Sequence, residues 1–371
     1  MNCFDDFEDI LKNPNAYGRR LKKETGKKVV GYFCSYVPEE LIIAAGAHPF
    51  RIFGTKGDIR LADAHFQSYC CSLVRGALEE GLSGGLDFLD GVIFPHTCDS
   101  IQRLSDIWRL NIPGMFHADF VLPVKLDTES AKNYYIAVLR RLKADIEKGL
   151  KARITDEDLG RAIHTCNAIR ECVHRIYRLR QENPFCISGR ELYGITHAAM
   201  AADRNHLLEA LPGIAQSIAA RTGDRREGKR LILSGGICTH PDIYDIIEEA
   251  GGVVIWDDFC TGSRYFEGAV GDSADPVSSI AERYLKRVVC PAKFAGLSSR
   301  GYNLLRLAKE KRVDGVIFIF LKFCDPHAFD YPYMKELLDR EGIPNMLFET
   351  EQQLPSRGQM QTRFETFMEM I

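Results

Sequence analysis

Apolar residues in this chain gather in short, nearly continuous runs, and each run is followed by a stretch in which apolar positions recur every three or four residues. Residues 26–34, GKKVVGYFC, form the first such run, and PEELIIAAG (38–46) follows with helical periodicity and proline in its first turn. PFRIFG (49–54), an amphipathic helix near 65–81, the run DGVIFP (90–95), a helix near 101–110 and a strand at 114–119 continue the pattern. Unbroken apolar strands alternating with helices predict βαβ units and a parallel sheet.

The same order returns in the second half. GKRLILSGGIC (228–238) matches the first run, PDIYDIIEEAGG (241–252) matches the proline-led helix, and VVIWDD (253–258) stands where the next strand was. DGVIFPHTCDS (90–100) has a counterpart in DGVIFIFLKFCDP (314–326), and an added helical stretch, PVSSIAERYLKRVV (276–289), accounts for the wider spacing between those copies. The pattern predicts an α/β protein with two related parallel-sheet units of Rossmann or flavodoxin-like type facing a cleft. Residues 1–125 form the N-terminal unit and residues 226–371 the C-terminal unit. Residues 126–225 form a helical bridge whose arginines and glutamates, at helical spacing, are expected to face water.

Composition narrows the function classes. The 371 residues are 45% hydrophobic, enough for a substantial core, and 48 basic against 51 acidic residues leave a net charge of -3 with no long block of one sign. Nucleic acid and membrane surfaces are therefore poor partners, and small, near-neutral molecules are favoured. The opening MNCFDDFEDILKNPN lacks the basic-then-apolar order of a signal peptide, so a cytoplasmic protein is expected. Twelve cysteines are many for such a chain, and a reducing compartment argues against a disulfide framework. No C-x-x-C spacing occurs, so zinc ribbons and thioredoxin-type redox pairs are excluded, and metal ligands would have to come from distant segments. There is no G-x-x-x-x-G-K-[ST] loop and no G-x-G-x-x-G fingerprint; EEGLSGGLD has glycines but no lysine to reach phosphates.

Cys34, Cys98, Cys238 and Cys324 each fall just past the carboxyl end of a predicted strand, where open α/β sheets place their ligand crevices. Asp99 and Asp325 follow directly and are expected to cap the next helices. A lone strand-end cysteine behaves as a small buried hydrophobe, but four at equivalent ends also suit a soft metal or an iron–sulfur cluster. His96, two residues before Cys98, and Glu39 and Glu40, which open the helix after Cys34, are the weak cleft candidates for catalysis. Each also has a structural reading, as a satisfied core histidine or as carboxylates at a helix start. Cys71 and Cys260 read as thiols beneath the cleft; Cys3, Cys166, Cys172, Cys186 and Cys290 read as packing residues.

VVGYFCSYVPEELIIAAGAHPFRIFG, QSYCCSLVRGALEEGLSGGLDFLDGVIFPHTCDSIQRLSDIWR, VVIWDDFCTGSRYF, DGVIFIFLKFCDPHAFDYP and the closing GIPNMLFETEQQ resemble the family of 2-hydroxyacyl-CoA dehydratase and ATP-dependent benzoyl-CoA reductase subunits. The resemblance implies one [4Fe–4S] cluster between two α/β units, its iron held by Cys34, Cys98 and Cys324. It also implies a related second iron–sulfur subunit in a heterodimer, and an ATP-dependent activator iron–sulfur protein that delivers single electrons. The substrate would be an acyl-CoA whose thioester carbonyl becomes a ketyl radical, in an anaerobic lyase or reductase; dehydration and ring reduction both fit. Two alternatives stand beside it. One is a homodimeric double-cubane-cluster reductase, for which Cys71, Cys238 and Cys260 are spare thiols although GGLDFLDG carries none. The other is a non-catalytic iron–sulfur scaffold.

Overall fold

A computed structural model describes residues 5–55, 57–222, 227–287 and 290–371, so Cys3 lies outside the described residues. Strands β1 (Val29–Tyr32), β2 (His48–Arg51), β3 (Gly91–Pro95) and β4 (Phe116–Phe120) form one sheet. Strands β5 (Lys229–Gly235), β6 (Gly252–Asp258), β7 (Gly315–Leu321) and β8 (Asn345–Thr350) form another. Their orders are β2-β1-β3-β4 and β6-β5-β7-β8, with every pairing parallel. The two halves thus share one doubly wound order, as the repeated sequence predicts.

The repeated Asp-Gly at the head of β3 and β7 has a shared physical cause. Asp90 Oδ2 accepts the backbone N–H of Val29 at 2.8 Å, and Asp314 Oδ2 accepts that of Arg230 at 2.7 Å. Each aspartate satisfies a donor at the start of the neighbouring strand, the first residue of β1 and the second of β5. The glycine then makes room. A Cβ on Gly91 would lie 2.6 Å from the Phe116 ring, and one on Gly315 would lie 2.9 Å from the Phe367 ring.

Three expectations need correction. The helix expected near 65–81 starts at Ser72 and runs to Leu82, with only a 3-10 turn at Ala62–Ala64 before it. Asp99 and Asp325 do not cap. Cys98 and Cys324 themselves occupy the N-cap positions, and the aspartates lie in the first turn, where they complement the helix dipole. The bridge is not simply solvated. The helix Asp156–Glu182 buries Arg170 and Arg180, and every residue of Gly189–Ala201 except the exposed Arg190 and the half-buried Glu191 is buried. That helix packs on β2 from one unit and on the helix Asp242–Glu249 from the other, so the bridge is a shared core.

The inserted helix Pro276–Lys286 also crosses between the halves. Its Val277, Ile280, Ala281 and Tyr284 share a hydrophobic cluster with Val30, Tyr32 and Ile93 of the first sheet. Beyond it, Phe294 exchanges backbone hydrogen bonds with Val124 (2.8 Å) and Leu126 (3.3 Å), laying the 290–297 segment as a strap over the N-terminal unit.

Candidate functional site

In a doubly wound sheet the crevice opens where the chain leaves the central pair of strands in opposite directions. β1 and β3 flank that point in the first unit and β5 and β7 in the second. The turns leaving β1, β3 and β7 carry Cys34, Cys98 and Cys324. Two of these turns are strained: Cys34 has φ 57° and Phe323, beside Cys324, has φ 64°. Holding a non-glycine residue there costs about 1–3 kcal/mol and persists where the surroundings over-determine it.

A cavity of about 550 Å³ opens between the units and is lined by Cys71, Cys98 and Cys324 together with Lys293, Phe294 and Phe329. All three thiols occupy the same local position. Cys71, Cys98 and Cys324 are the N-cap residues of the helices Ser72–Leu82, Asp99–Asn111 and Asp325–Arg340. Burial pushes all three thiols up, Cys71 to about 12, while backbone N–H groups of the following turns pull each one down. Each of the three sulfurs therefore sits at the N-terminus of its own helix, an arrangement that favours negative charge there. Lys293 adds a cation. It is 7% exposed, and its Nζ donates to the carbonyls of His96 at 3.3 Å and Leu122 at 3.4 Å.

Cys34 does not line this cavity. It belongs to an adjacent triplet in which Cys260 accepts hydrogen bonds from the thiols of Cys34 and Cys290. The two donors are pushed up by that bond and by burial, and Cys260 is held well below the usual thiol range. Arg264 lies close enough to favour the thiolate, and is itself paired with Asp258 at 2.9 Å. The sequence missed Cys290 because the strap that carries it follows no strand. The late start of the helix at Ser72 is what makes Cys71 a cavity residue.

The remaining sequence candidates lie elsewhere. Cys238 is buried in the C-terminal core, its Sγ donating to the His240 carbonyl at 3.7 Å. His96 Nε2 meets Asp119 Oδ1 at 2.9 Å and does not line the cavity. Glu39 and Glu40 are buried, with Glu39 3.1 Å from Arg204 and Glu40 2.6 Å from Arg170. Cys186 is buried in hydrophobic packing and Cys172 packs against it, while Cys166 is buried beside the charges of Glu40 and Arg170.

Among the described residues, no three His, Cys, Asp or Glu side chains close on one point as a mononuclear site requires. An iron–sulfur cluster makes a different demand. Its irons present separate faces to separate thiolates, so three cysteines around a cavity meet it without converging. The all-thiol donor set and the helix N-termini fit that group.

Residues 34–371 match the family model described as 2-hydroxyglutaryl-CoA dehydratase, D-component. The chain is 29% identical over 368 residues to the (R)-phenyllactyl-CoA dehydratase beta subunit of Clostridium sporogenes, covering 99% of this chain and 98% of that one. It is 30% identical over 347 residues to a benzoyl-CoA reductase subunit of Thauera aromatica, covering 91% and 88%. It is 26% identical over 374 residues to the beta subunit of the (R)-2-hydroxyglutaryl-CoA dehydratase of Acidaminococcus fermentans, covering 99% and 98%.

Proposed function

The chain belongs to the 2-hydroxyglutaryl-CoA dehydratase D-component family, and on that premise we propose that it is the iron–sulfur subunit of an acyl-CoA dehydratase or benzoyl-CoA reductase-type enzyme. One observation carries the reading: three cysteines, each at a helix N-terminus, line a single cavity between two α/β units. We place a [4Fe–4S] cluster there, with Cys98 and Cys324 as ligands and Cys71 as the third thiolate the cavity offers; Cys34, the third ligand that the resemblance implies, lies in the adjacent triplet. When bound, the cluster supplies low-potential single electrons for chemistry on an acyl-CoA thioester.

The chain's own residues set the surroundings. Helix N-termini and Lys293 offset the negative charge of the thiolates, and Phe294 and Phe329 keep that side of the cavity apolar. With no phosphate-binding loop in the sequence, ATP hydrolysis belongs to a separate activator, and the beta-subunit relatives favour a related partner chain in a heterodimer. Cytoplasmic location is part of the same proposal; among the described residues no helix is long and apolar enough to cross a membrane.

A second reading is favoured by the triplet of Cys34, Cys260 and Cys290. Loaded as well, it would give a double-cubane centre in a homodimer. Anaerobic purification with iron, sulfide and electron paramagnetic resonance analysis tests both. About four irons per chain support the first reading and about eight the second. A chain that stays metal-free after reconstitution refutes both, and a loaded chain inert with activator, partner and acyl-CoA is a scaffold. The pure chain should hydrolyse no ATP.

A further inference from the structure

Lys293 is the lysine of the thiol-lined cavity, and its surroundings are unusual for a buried cation. The strap that carries it is pinned on either side of it. Before it, the Cys290 N–H donates to Tyr36 Oη at 3.2 Å, and after it the Phe294 N–H donates to the Val124 carbonyl at 2.8 Å. Its own backbone N–H closes a turn onto the Cys290 carbonyl at 2.8 Å. With Nζ bonded to the carbonyls of His96 and Leu122, the ammonium has a fixed place between the strap and the N-terminal unit.

An ammonium taken out of water is costly unless a counter-charge meets it. Buried arginines here have one: Arg170 is matched by Glu40, and Arg300 by Asp258. Lys293 pairs with no carboxylate among the described residues. The charges it faces are those of sulfur, on Cys290, Cys34 and Cys98. Burial lowers its pKa from the ordinary lysine value, and the three sulfurs act the other way. One fixed cation therefore faces both the cavity thiol Cys98 and the adjacent triplet. Charge and hydrogen bonds around an iron–sulfur cluster set its potential, and in a water-poor site a nearby cation favours the state that carries one more electron.

Resting on the cluster reading above, we propose that Lys293 is a positioning residue for electron transfer: its charge sets the electrostatic potential of the thiol-lined cavity and raises the reduction potential of the cluster held there. The activator's electron then enters a site that already compensates its charge.

A redox titration of the reconstituted full chain, followed by electron paramagnetic resonance, tests this. In Lys293→Met the ratio of reduced to oxidised cluster at any set potential should fall roughly tenfold or more, which is a midpoint lower by about 59 mV for one electron. Lys293→Arg, which keeps the charge, should stay near the native midpoint. A midpoint unchanged or raised in Lys293→Met, or lowered as far in Lys293→Arg, overturns the proposal. A second measurement needs no iron. In the metal-free chain, alkylation of the half-buried Cys98 is followed by mass spectrometry with iodoacetate, an anion, and with iodoacetamide, its neutral counterpart. The iodoacetate-to-iodoacetamide rate ratio should fall roughly threefold or more in Lys293→Met and hold in Lys293→Arg. Equal ratios in all three chains overturn the role of Lys293, even where the methionine variant fails to hold iron. A native chain that takes up no iron yet shows the fall in ratio speaks against the cluster alone, and a loaded chain whose midpoint ignores Lys293 speaks against Lys293 alone.

Discussion

Glu40 and Arg170 meet at 2.6 Å with side chains 0% and 5% exposed. Glu40 lies in the short helix Glu39–Ala44 that follows Cys34, and Arg170 lies in the bridging helix Asp156–Glu182. Beside them, Glu39 pairs with Arg204 from the helix Arg204–Ala219. Two carboxylates that read from sequence as cleft candidates therefore tie the Cys34 turn to the bridge, which helps hold that turn in its left-handed conformation.

Breaking this pair leaves a buried cation without its counter-charge. Glu40→Gln should lower stability by about 3–5 kcal/mol, read from urea unfolding midpoints. A change within about 0.5 kcal/mol would show that the pair is not buried as described.

The same pair gives a pH dependence. Burial opposes ionisation of Glu40, but Arg170 and Arg283 outweigh it and hold the carboxyl below its ordinary value. A depressed carboxylate contributes stability that is complete above its unfolded pKa of about 4.3 and is lost as pH falls through the lower folded value. The native chain should therefore lose stability below a pH of about 4.3 more steeply than Glu40→Gln, measured as unfolding free energy against pH.

Cysteine variants sort ligands from packing. Cys98→Ser and Cys324→Ser should lose the cluster while the fold survives, since a hydroxyl is a poor partner for a soft centre. Cys166→Ser and Cys238→Ser should keep it. Cys34→Ser decides between the two readings: iron unchanged at about four per chain marks a single cluster at the cavity, and a fall from about eight marks a double centre. Full iron occupancy in Cys98→Ser would end both.

Two glycines should respond in opposite directions to alanine. At Gly91 the added Cβ would meet the Phe116 ring at 2.6 Å, and overpacking of that kind costs about 1–3 kcal/mol. At Gly160, exposed within the helix Asp156–Glu182 with nothing within 4 Å, alanine should stabilise by about 0.5–1 kcal/mol through helix propensity. Thermal denaturation of the two variants compares them directly.

What is local or periodic could be read from the residues alone. Apolar runs and helical spacing located β1 to β7 in order, the repeat announced two units of one topology, and residues just past parallel strands must fall at the crevice edge, so the places of Cys98 and Cys324 on the cavity wall were legible. Which thiols meet was not legible, because it depends on packing. Cys71 faces the cavity because its helix starts at Ser72, later than periodicity suggested. Cys290 comes beside Cys34 because a strap from the second half folds over the first. The bridge looked solvated because its charges sit at helical spacing, yet Arg170 is matched by Glu40 from the far end of the chain, and no local pattern can announce a partner at that distance. Secondary structure follows from neighbours along the chain, whereas ion pairs, thiol groupings and cavities depend on how distant elements pack.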